Sequence, residues 1–175
     1  AVVNLNDDGH PSYAFYREGV ADRQVTAAKM NADCAQHADS IDMVCTGALA
    51  LDARDRHVYL PWLLEQKTKG KCIVVDANLR PSVMPDLTSY RQCIQDYLDV
   101  ADIIKVSDED LMALGSPGES TFEKAQSIFK NTNAKLIALT LGAEGAWLLT
   151  ATGQSYFAKE QATLHVVDTV GAGDC

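Results

Sequence analysis

Near its carboxyl end the chain carries a segment that could support phosphoryl transfer, Asp168 to Asp174, with the sequence Asp-Thr-Val-Gly-Ala-Gly-Asp. The small residues Gly171, Ala172 and Gly173 allow successive backbone N–H groups to converge on an anion at the start of a helix. Such a cradle stabilises the charge that develops on a phosphoryl group during transfer. Asp174 beside it could take a proton from an attacking hydroxyl. A tight strand-to-helix connection capped by the aspartate is the alternative that this segment alone leaves open.

Other polar or glycine-containing segments follow short apolar runs along the chain. The apolar runs, such as Met43 to Thr46, are separated by stretches with helical spacing, and this alternation is typical of β-α-β units. The pattern therefore predicts an α/β fold with a doubly wound, mostly parallel sheet flanked by helices. Ligands of such sheets bind beyond the carboxyl ends of the strands. We expect these segments to share that edge: Gly47, Asp76 to Arg80, Lys105 to Asp110, Thr140 to Gly145 and Asp168 to Asp174.

Periodicity also predicts the elements that must position these segments. Helices are expected at 27–38, 53–69, 87–98 and 108–114, with an interruption or kink in the second at Pro61. Ser120 and Glu123 form a capping-box pattern for a further helix. The unalternating run Cys72 to Val75 indicates a strand covered on both faces. Further strands are expected at 102–106, 136–141 and 164–167, with a second hairpin around 147–149.

The first 17 residues predict a β-hairpin around the turn Asp7-Asp8-Gly9. Two strands cannot form a stable sheet alone, so this hairpin must pair with another part of the protein. Strand alternation places Phe15 and Arg17 on one side and Tyr16 on the other. A solvated surface charge is the simpler interpretation of the arginine.

Composition argues against several classes of protein. The chain has 175 residues, of which 47% are hydrophobic and 22% charged, as in one ordinary globular domain. It has no apolar run of the ~18 residues that a transmembrane helix needs. Its net charge of -9 argues against nucleic acid and anionic membranes as partners. The five cysteines are widely spaced, which indicates reduced thiols and a cytoplasmic location. We interpret the histidines as structural: His10, His37, His57 and His165.

The glycine-rich segment, with Cys175 after it, resembles the C-terminal signature of the ribokinase-like, phosphofructokinase B family of carbohydrate kinases. The opening hairpin resembles the lid of the fructokinase branch. Three further segments resemble family motifs in the right order, so that the resemblance spans essentially the whole chain: Asp76-Ala77-Asn78-Leu79-Arg80-Pro81, Lys105-Val106-Ser107-Asp108-Glu109-Asp110 and Thr140-Leu141-Gly142-Ala143-Glu144-Gly145.

The resemblance implies roles for individual residues. Asp174 matches the catalytic base, and the N–H groups of Gly171, Ala172 and Gly173 match the anion hole. Asp168 matches a position that helps to hold a monovalent cation in relatives. Contacts to the sugar are implied for Phe15, Arg17, Gly47, Asn78 and Arg80. Contacts to the nucleotide phosphates or hydrated Mg²⁺ are implied for Lys105, Ser107, Asp110, Thr140, Gly142 and Gly145.

Simpler structural roles stay open for some of these residues. Ser107 and Asp110 also fit a capping box, and the segment 140–145 also fits a plain hairpin turn. Arg80 could reach a phosphate as a fork-shaped donor, or it could pair with Asp76 and pin the loop. Asp168 could be a turn former.

The family transfers the γ-phosphate of MgATP to a sugar hydroxyl, and the resemblance favours fructokinase. The alternatives are a 2-keto-3-deoxygluconate kinase, another ribokinase-like sugar or nucleoside kinase, and a non-catalytic sugar- or nucleotide-binding protein of the same fold. A Rossmann dehydrogenase is disfavoured because no GxGxxG follows the first strand. The expected cofactors are ATP and Mg²⁺, with K⁺ left open. The expected partner is a small-molecule sugar, and a homodimer through the lid is left open.

Family members run to about two such lengths. We therefore expect residues 1–20 to be part of a β lid. Residues 21–175 would form an α/β kinase domain that is incomplete, because its N-terminal strands and C-terminal helices are absent. This segment alone is expected to be inactive.

Overall fold

The computed structural model describes residues 2–5, 11–37, 40–84 and 86–162. Several predictions fall outside these residues. They are the turn at Asp7-Asp8-Gly9, the end of the first predicted helix at Ala38, the strand at 164–167 and the glycine-rich segment from Asp168 to Asp174.

The strands form a small hairpin and a larger mixed sheet. The hairpin pairs β1 (Val2–Leu5) with β2 (Pro11–Ala14) in antiparallel fashion. The described part of the larger sheet has six strands in the order β3-β4-β5-β6-β7-β8. The first four are parallel: β3 (Met43–Gly47), β4 (Cys72–Asp76), β5 (Ile103–Ser107) and β6 (Leu136–Thr140). The last two are antiparallel: β7 (Ala146–Thr150) and β8 (Ser155–Ala158).

Five described α-helices connect the strands: α1 (Ala27–Ala35), α2 (Arg56–Thr68), α3 (Leu87–Val100), α4 (Asp108–Leu114) and α5 (Thr121–Ile128). Side-chain caps start several of them, because the first N–H groups of a helix lack partners within it. The predicted capping box of Ser120 and Glu123 is confirmed at the start of α5. The predicted α/β class, with a mostly parallel sheet flanked by helices, is confirmed as well.

The hydrophobic core lies on one face of the sheet. Burial alternates along each of the central parallel strands, as the strand period of two requires. The fully buried strand residues are Ile73, Val75, Ile104, Val106, Ile137 and Leu139. On the other face Cys72 and Val74 are half-buried. Among the described residues, β4 is therefore covered fully on one face and partly on the other.

Several predicted boundaries differ from the structure, two of them in ways that bear on the fold. The helix predicted over 53–69 begins at Arg56 and continues through Pro61 without interruption, since proline removes a single N–H donor from the helix. The strand predicted to reach Arg17 ends at Ala14, which lies opposite Val2, the first residue of β1. Across the described ranges, no helix combines the length and hydropathy that a membrane crossing requires.

Candidate functional site

The parallel strands bring the predicted site segments to one edge of the sheet. In the strand register Gly47 lies opposite Asp76, and Asp76 lies opposite Lys105. Ser107 lies opposite Thr140 on the next pair of strands. The segments that follow β3, β4, β5 and β6 are therefore neighbours, as the sequence predicted.

Gly47, the last residue of β3, packs against the end of β4 with no room for a side chain. Its backbone is extended, with φ 173° and ψ -176°, so conformation alone does not call for glycine. A Cβ at this position would lie 2.4 Å from the carbonyl oxygen of Asp76 and 2.9 Å from its Cβ. The structure thus gives a reason for the glycine other than the predicted approach of a sugar: a side chain would collide with the end of β4.

Lys105 and Asp76 form an ion pair across β4 and β5. The Lys105 Nζ lies 3.1 Å from Asp76 Oδ1, and the two side chains are 20% and 30% exposed. The sequence leaves open a pair between Asp76 and Arg80. The guanidinium of Arg80 instead donates to the carbonyl of Leu79 at 3.0 Å. This leaves Lys105 as the cation that faces Asp76 on the adjacent strand.

Ser107 and Asp110 form a capping box at the start of α4. This is the simpler structural role that the sequence left open for these two residues. The Ser107 hydroxyl accepts the Asp110 N–H at 3.1 Å, and Asp110 Oδ2 accepts the Ser107 N–H at 2.8 Å. The other oxygen, Oδ1, accepts the Leu79 N–H at 2.7 Å. Asp110 is 4% exposed. Its carboxylate therefore joins the start of α4 to the segment that follows β4.

The segment after β4 is held by hydrogen bonds to other elements. The Ala77 N–H donates to the Lys105 carbonyl at 2.9 Å, and the Arg80 N–H donates to the Tyr90 hydroxyl at 3.2 Å. Between these bonds Asn78 has φ 33°, in the left-handed region that non-glycine residues rarely adopt. Burial raises the pKa of Tyr90 above its ordinary value, although the Arg80 N–H opposes the shift.

The segment after β6 forms a tight turn into β7. The Leu141 N–H donates to the Gly145 carbonyl at 2.9 Å, and the Glu144 N–H donates to the Leu141 carbonyl at 3.0 Å. Gly142 has φ 55° with open space where a side chain would stand. A Cβ on Gly145 would lie 2.5 Å from the Ala158 carbonyl. The turn lies between antiparallel strands, and it leaves the backbone of Gly142 accessible.

Arg17 lies in a buried cluster of charges at the root of the hairpin. It is 7% exposed and forms an ion pair with Asp22. Its Nη2 donates to the Leu49 carbonyl at 3.0 Å and lies 3.8 Å and 3.7 Å from the carboxylates of Asp52 and Asp55. The interpretation of Arg17 as a solvated surface charge is wrong. Tyr16 is 74% exposed, in agreement with the prediction that it points away from Arg17.

The acidic members of this cluster were missed from the sequence. Arg54 binds Asp52 with two nitrogens, Nε at 3.0 Å and Nη2 at 2.6 Å, and Arg23 binds Asp55 in the same manner. Burial opposes ionisation of Asp52, but the Arg54 hydrogen bonds outweigh it and the pKa of Asp52 lies below its ordinary value. The alternation of acids and arginines at 52–56 was the available signal.

The proposed catalytic base Asp174, the anion hole of Gly171, Ala172 and Gly173, and the cation position Asp168 lie outside the described residues. Their roles stay predictions. Among the residues that the structure describes, no three carboxylate, thiol or imidazole groups come together as a metal site.

The full chain, residues 1–175, matches the sequence profile of pfkB family carbohydrate kinases. The chain belongs to the pfkB family. A curated relative of this pfkB chain is the fructokinase of Rhizobium leguminosarum bv. trifolii, which is 35% identical over 167 residues that cover 95% of the chain and 49% of the relative. The 2-dehydro-3-deoxygluconokinase of Bacillus subtilis (strain 168) is 30% identical over 172 residues, or 95% of the chain and 50% of the relative. The pfkB chain thus spans about half the length of the curated relatives it matches.

Solved structures resemble the pfkB chain as well. The crystal structure of fructokinase with bound ATP from Xylella fastidiosa superposes with a TM-score of 0.79 at 23% identity. The match covers 98% of the chain and 52% of that protein. The predicted ribokinase-like fold is therefore confirmed.

Proposed function

We propose that the protein carrying this chain is an ATP-dependent sugar kinase that transfers the γ-phosphate of ATP to a hydroxyl of fructose. The observation that carries the proposal is the membership of the whole chain in the pfkB carbohydrate kinase family. The gathering of its polar segments at one edge of the sheet supports it further, since ligands of parallel sheets bind at that edge. The similarity to a fructokinase over 95% of the chain favours fructose as the substrate.

We place the nucleotide along the ends of β5 and β6, at Lys105, Thr140, Gly142 and Gly145. The open space at Gly142 fits close contact between backbone and ligand. Bound MgATP would supply the phosphoryl group and the positive charge that offsets its negative oxygens. Both oxygens of Asp110 accept backbone N–H groups. We therefore propose that Ser107 and Asp110 shape this segment, and that the Asp110 carboxylate contacts Mg²⁺ only through a water molecule.

We place the sugar along the ends of β3 and β4, at Gly47, Asn78 and Arg80. Phe15 and Arg17 would approach it from the root of the hairpin. The bond from Arg17 to the Leu49 carbonyl supports this placement, since Leu49 follows Gly47 by two residues. In this arrangement Asp174 removes the proton of the attacking hydroxyl, and the N–H groups of Gly171, Ala172 and Gly173 stabilise the transferring group. Asp168 would bind a monovalent cation such as K⁺.

A coupled assay for ADP release by the full-length protein tests this function. We expect turnover with fructose at millimolar sugar or below, and little ADP release when sugar is omitted. The panel should include glucose, ribose, 2-dehydro-3-deoxygluconate and a nucleoside. No ADP release with any acceptor, in protein shown to be folded, would refute a kinase function and favour a binding protein of the same fold.

A 2-dehydro-3-deoxygluconate kinase is the second candidate. Its supporting observation is the similarity to the Bacillus subtilis enzyme of that name over 95% of the chain. The keto acid carries a carboxylate that fructose lacks, so Arg80, whose guanidinium donates to a backbone carbonyl, would gain a charged partner. A kcat/KM for the keto acid that exceeds the value for fructose by tenfold or more would replace our first choice with this one.

We further propose that residues 1–20 are part of a lid and that residues 21–175 are one part of a longer α/β kinase domain in the cytoplasm. The coverage of about half of each curated relative supports this division. The lid could also join two subunits as a homodimer, which light scattering of the full-length protein would test. Expressed alone, residues 1–175 should phosphorylate no sugar.

A further inference from the structure

We propose that Tyr90 and Asp110 are positioning residues, which hold the backbone of segment 76–80 in the conformation that presents Asn78 and Arg80 to the sugar. Their hydrogen bonds to this segment are observed, whereas their effect on sugar binding rests on the proposed function. Neither residue needs to touch the substrate. Tyr90 lies on α3 and Asp110 on α4.

Three successive contacts fix the segment to three different elements. The Ala77 N–H bonds to the β5 carbonyl of Lys105 at 2.9 Å, and the Leu79 N–H bonds to the carboxylate of Asp110 at 2.7 Å. The Arg80 N–H bonds to the hydroxyl of Tyr90 at 3.2 Å. The accepting side chains of Tyr90 and Asp110 are 1% and 4% exposed, respectively. Because they are buried, water does not readily take over as the acceptor when either side chain is removed.

The residue between these contacts is the one with the unusual backbone. Asn78 has φ 33°, a positive value that is uncommon for a non-glycine residue and that asparagine tolerates better than most. Its neighbours on either side, Ala77 and Leu79, are both buried and both bonded through their N–H groups. We call these three hydrogen bonds, from the N–H groups of Ala77, Leu79 and Arg80, the clamp. The clamp holds the backbone on both sides of Asn78.

Asp110 also connects this segment to the next strand. Its second oxygen accepts the N–H of Ser107, the last residue of β5. One buried carboxylate thus fixes the backbone after β4 and at the end of β5. The segment after β4 is the proposed sugar segment, and the end of β5 belongs to the proposed nucleotide segment. We expect loss of Asp110 to disturb both, and loss of the Tyr90 hydroxyl to disturb the sugar segment alone.

The test compares Tyr90→Phe with Tyr97→Phe in the full-length protein. Both tyrosines are buried on α3, and each change removes only a hydroxyl. The Tyr97 hydroxyl has no hydrogen-bond partner among the described residues, so it provides a matched control. The first readout is hydrogen exchange of single amides, measured by NMR without any substrate.

We expect Tyr90→Phe to accelerate exchange at Arg80 by about tenfold, which corresponds to about 1.4 kcal/mol, and to leave amides in β3 unchanged. With active enzyme, the KM for sugar should rise about tenfold while the KM for ATP changes less than twofold. Asp110→Ala, which removes both acceptor oxygens, should accelerate exchange at both Leu79 and Ser107. Tyr97→Phe should alter none of these values.

Unchanged exchange at Arg80 in Tyr90→Phe, or an equal effect of Tyr97→Phe, would overturn the clamp. Faster exchange at Arg80 with an unchanged sugar KM would confirm the clamp and overturn its role in sugar binding. Because exchange is measured without substrate, a protein that phosphorylates nothing would refute the proposed function without removing this test of the clamp.

Discussion

Gly47 is a position where a single methyl group should disturb the proposed sugar site. A Cβ there would lie 2.4 Å from the Asp76 carbonyl oxygen, about 1 Å closer than ordinary van der Waals contact. The Cβ is fixed to one paired backbone and the carbonyl oxygen belongs to the other, so neither atom can rotate away. Relief requires that β4 and the segment after it move by about 1 Å.

We expect Gly47→Ala to destabilise the full-length protein by about 1–2 kcal/mol. Overpacking costs about 1–3 kcal/mol, and the lower entropy of the unfolded alanine chain offsets about 0.4–1 kcal/mol of it. The displacement reaches Asp76 and the segment that carries Asn78 and Arg80. The kcat/KM for sugar should therefore fall tenfold or more, mainly through a raised KM, because misplacement of about 1 Å can cost about a hundredfold in rate.

Gly70→Ala is a suitable control for this prediction. Gly70 has φ +82° and open space around its Cα, so alanine there meets backbone strain of about 1–2 kcal/mol without a collision. Urea unfolding should show similar losses of stability for the two variants, whereas steady-state kinetics should show a raised sugar KM only for Gly47→Ala. Wild-type stability and wild-type KM in Gly47→Ala would refute the close contact and its link to the site.

Other predictions concern the charge cluster and the core. Arg17→Met should lower the free energy of unfolding by about 2–4 kcal/mol, because it leaves the buried carboxylates of Asp52 and Asp55 with fewer cations; a loss below 0.5 kcal/mol in urea unfolding would contradict this. The pKa of Asp52 is lowered in the folded state, so its contribution is present above its ordinary value of 3.8 and is lost as pH falls through the folded pKa. The stability difference between wild type and Asp52→Asn should therefore shrink below about pH 4, and a constant difference from pH 7 to pH 3 would refute it. Burial raises the pKa of Cys93 to about 11, so a thiol reagent at pH 8 should label Cys93 only on unfolding; rapid labelling of native protein would contradict its burial.

Much of the fold could be predicted because hydrophobic periodicity is a local signal. The parallel strands and their helices follow from apolar runs and caps such as Ser120 and Glu123. The site segments gather at one edge because parallel strands place their carboxyl ends side by side, where ligands bind. Boundaries were less certain. The strand β2 ends at Ala14, and the alternation that continues to Arg17 in the sequence does not reveal this boundary.

The long-range contacts of the site could not be predicted from spacing alone. Arg17 finds Asp52 and Asp55 more than thirty residues away in the chain, and Asp76 pairs with Lys105 on the adjacent strand. The hydrogen bond from the Arg80 N–H to the Tyr90 hydroxyl depends on how α3 packs against the segment after β4. Ser107 and Asp110 fitted two roles in the sequence, and only the hydrogen bonds show the capping box.

The most direct test of the proposed kinase is the transfer of labelled γ-phosphate from ATP to fructose by full-length protein with Asp174→Asn. We predict that the substitution lowers kcat by about a hundredfold or more, because it removes a general base, while the Kd for ATP stays within about twofold. Asp99→Asn, at an exposed carboxylate on α3, should retain wild-type kcat. Normal transfer by Asp174→Asn, or no transfer by folded wild-type protein with any sugar of the panel, would contradict the account.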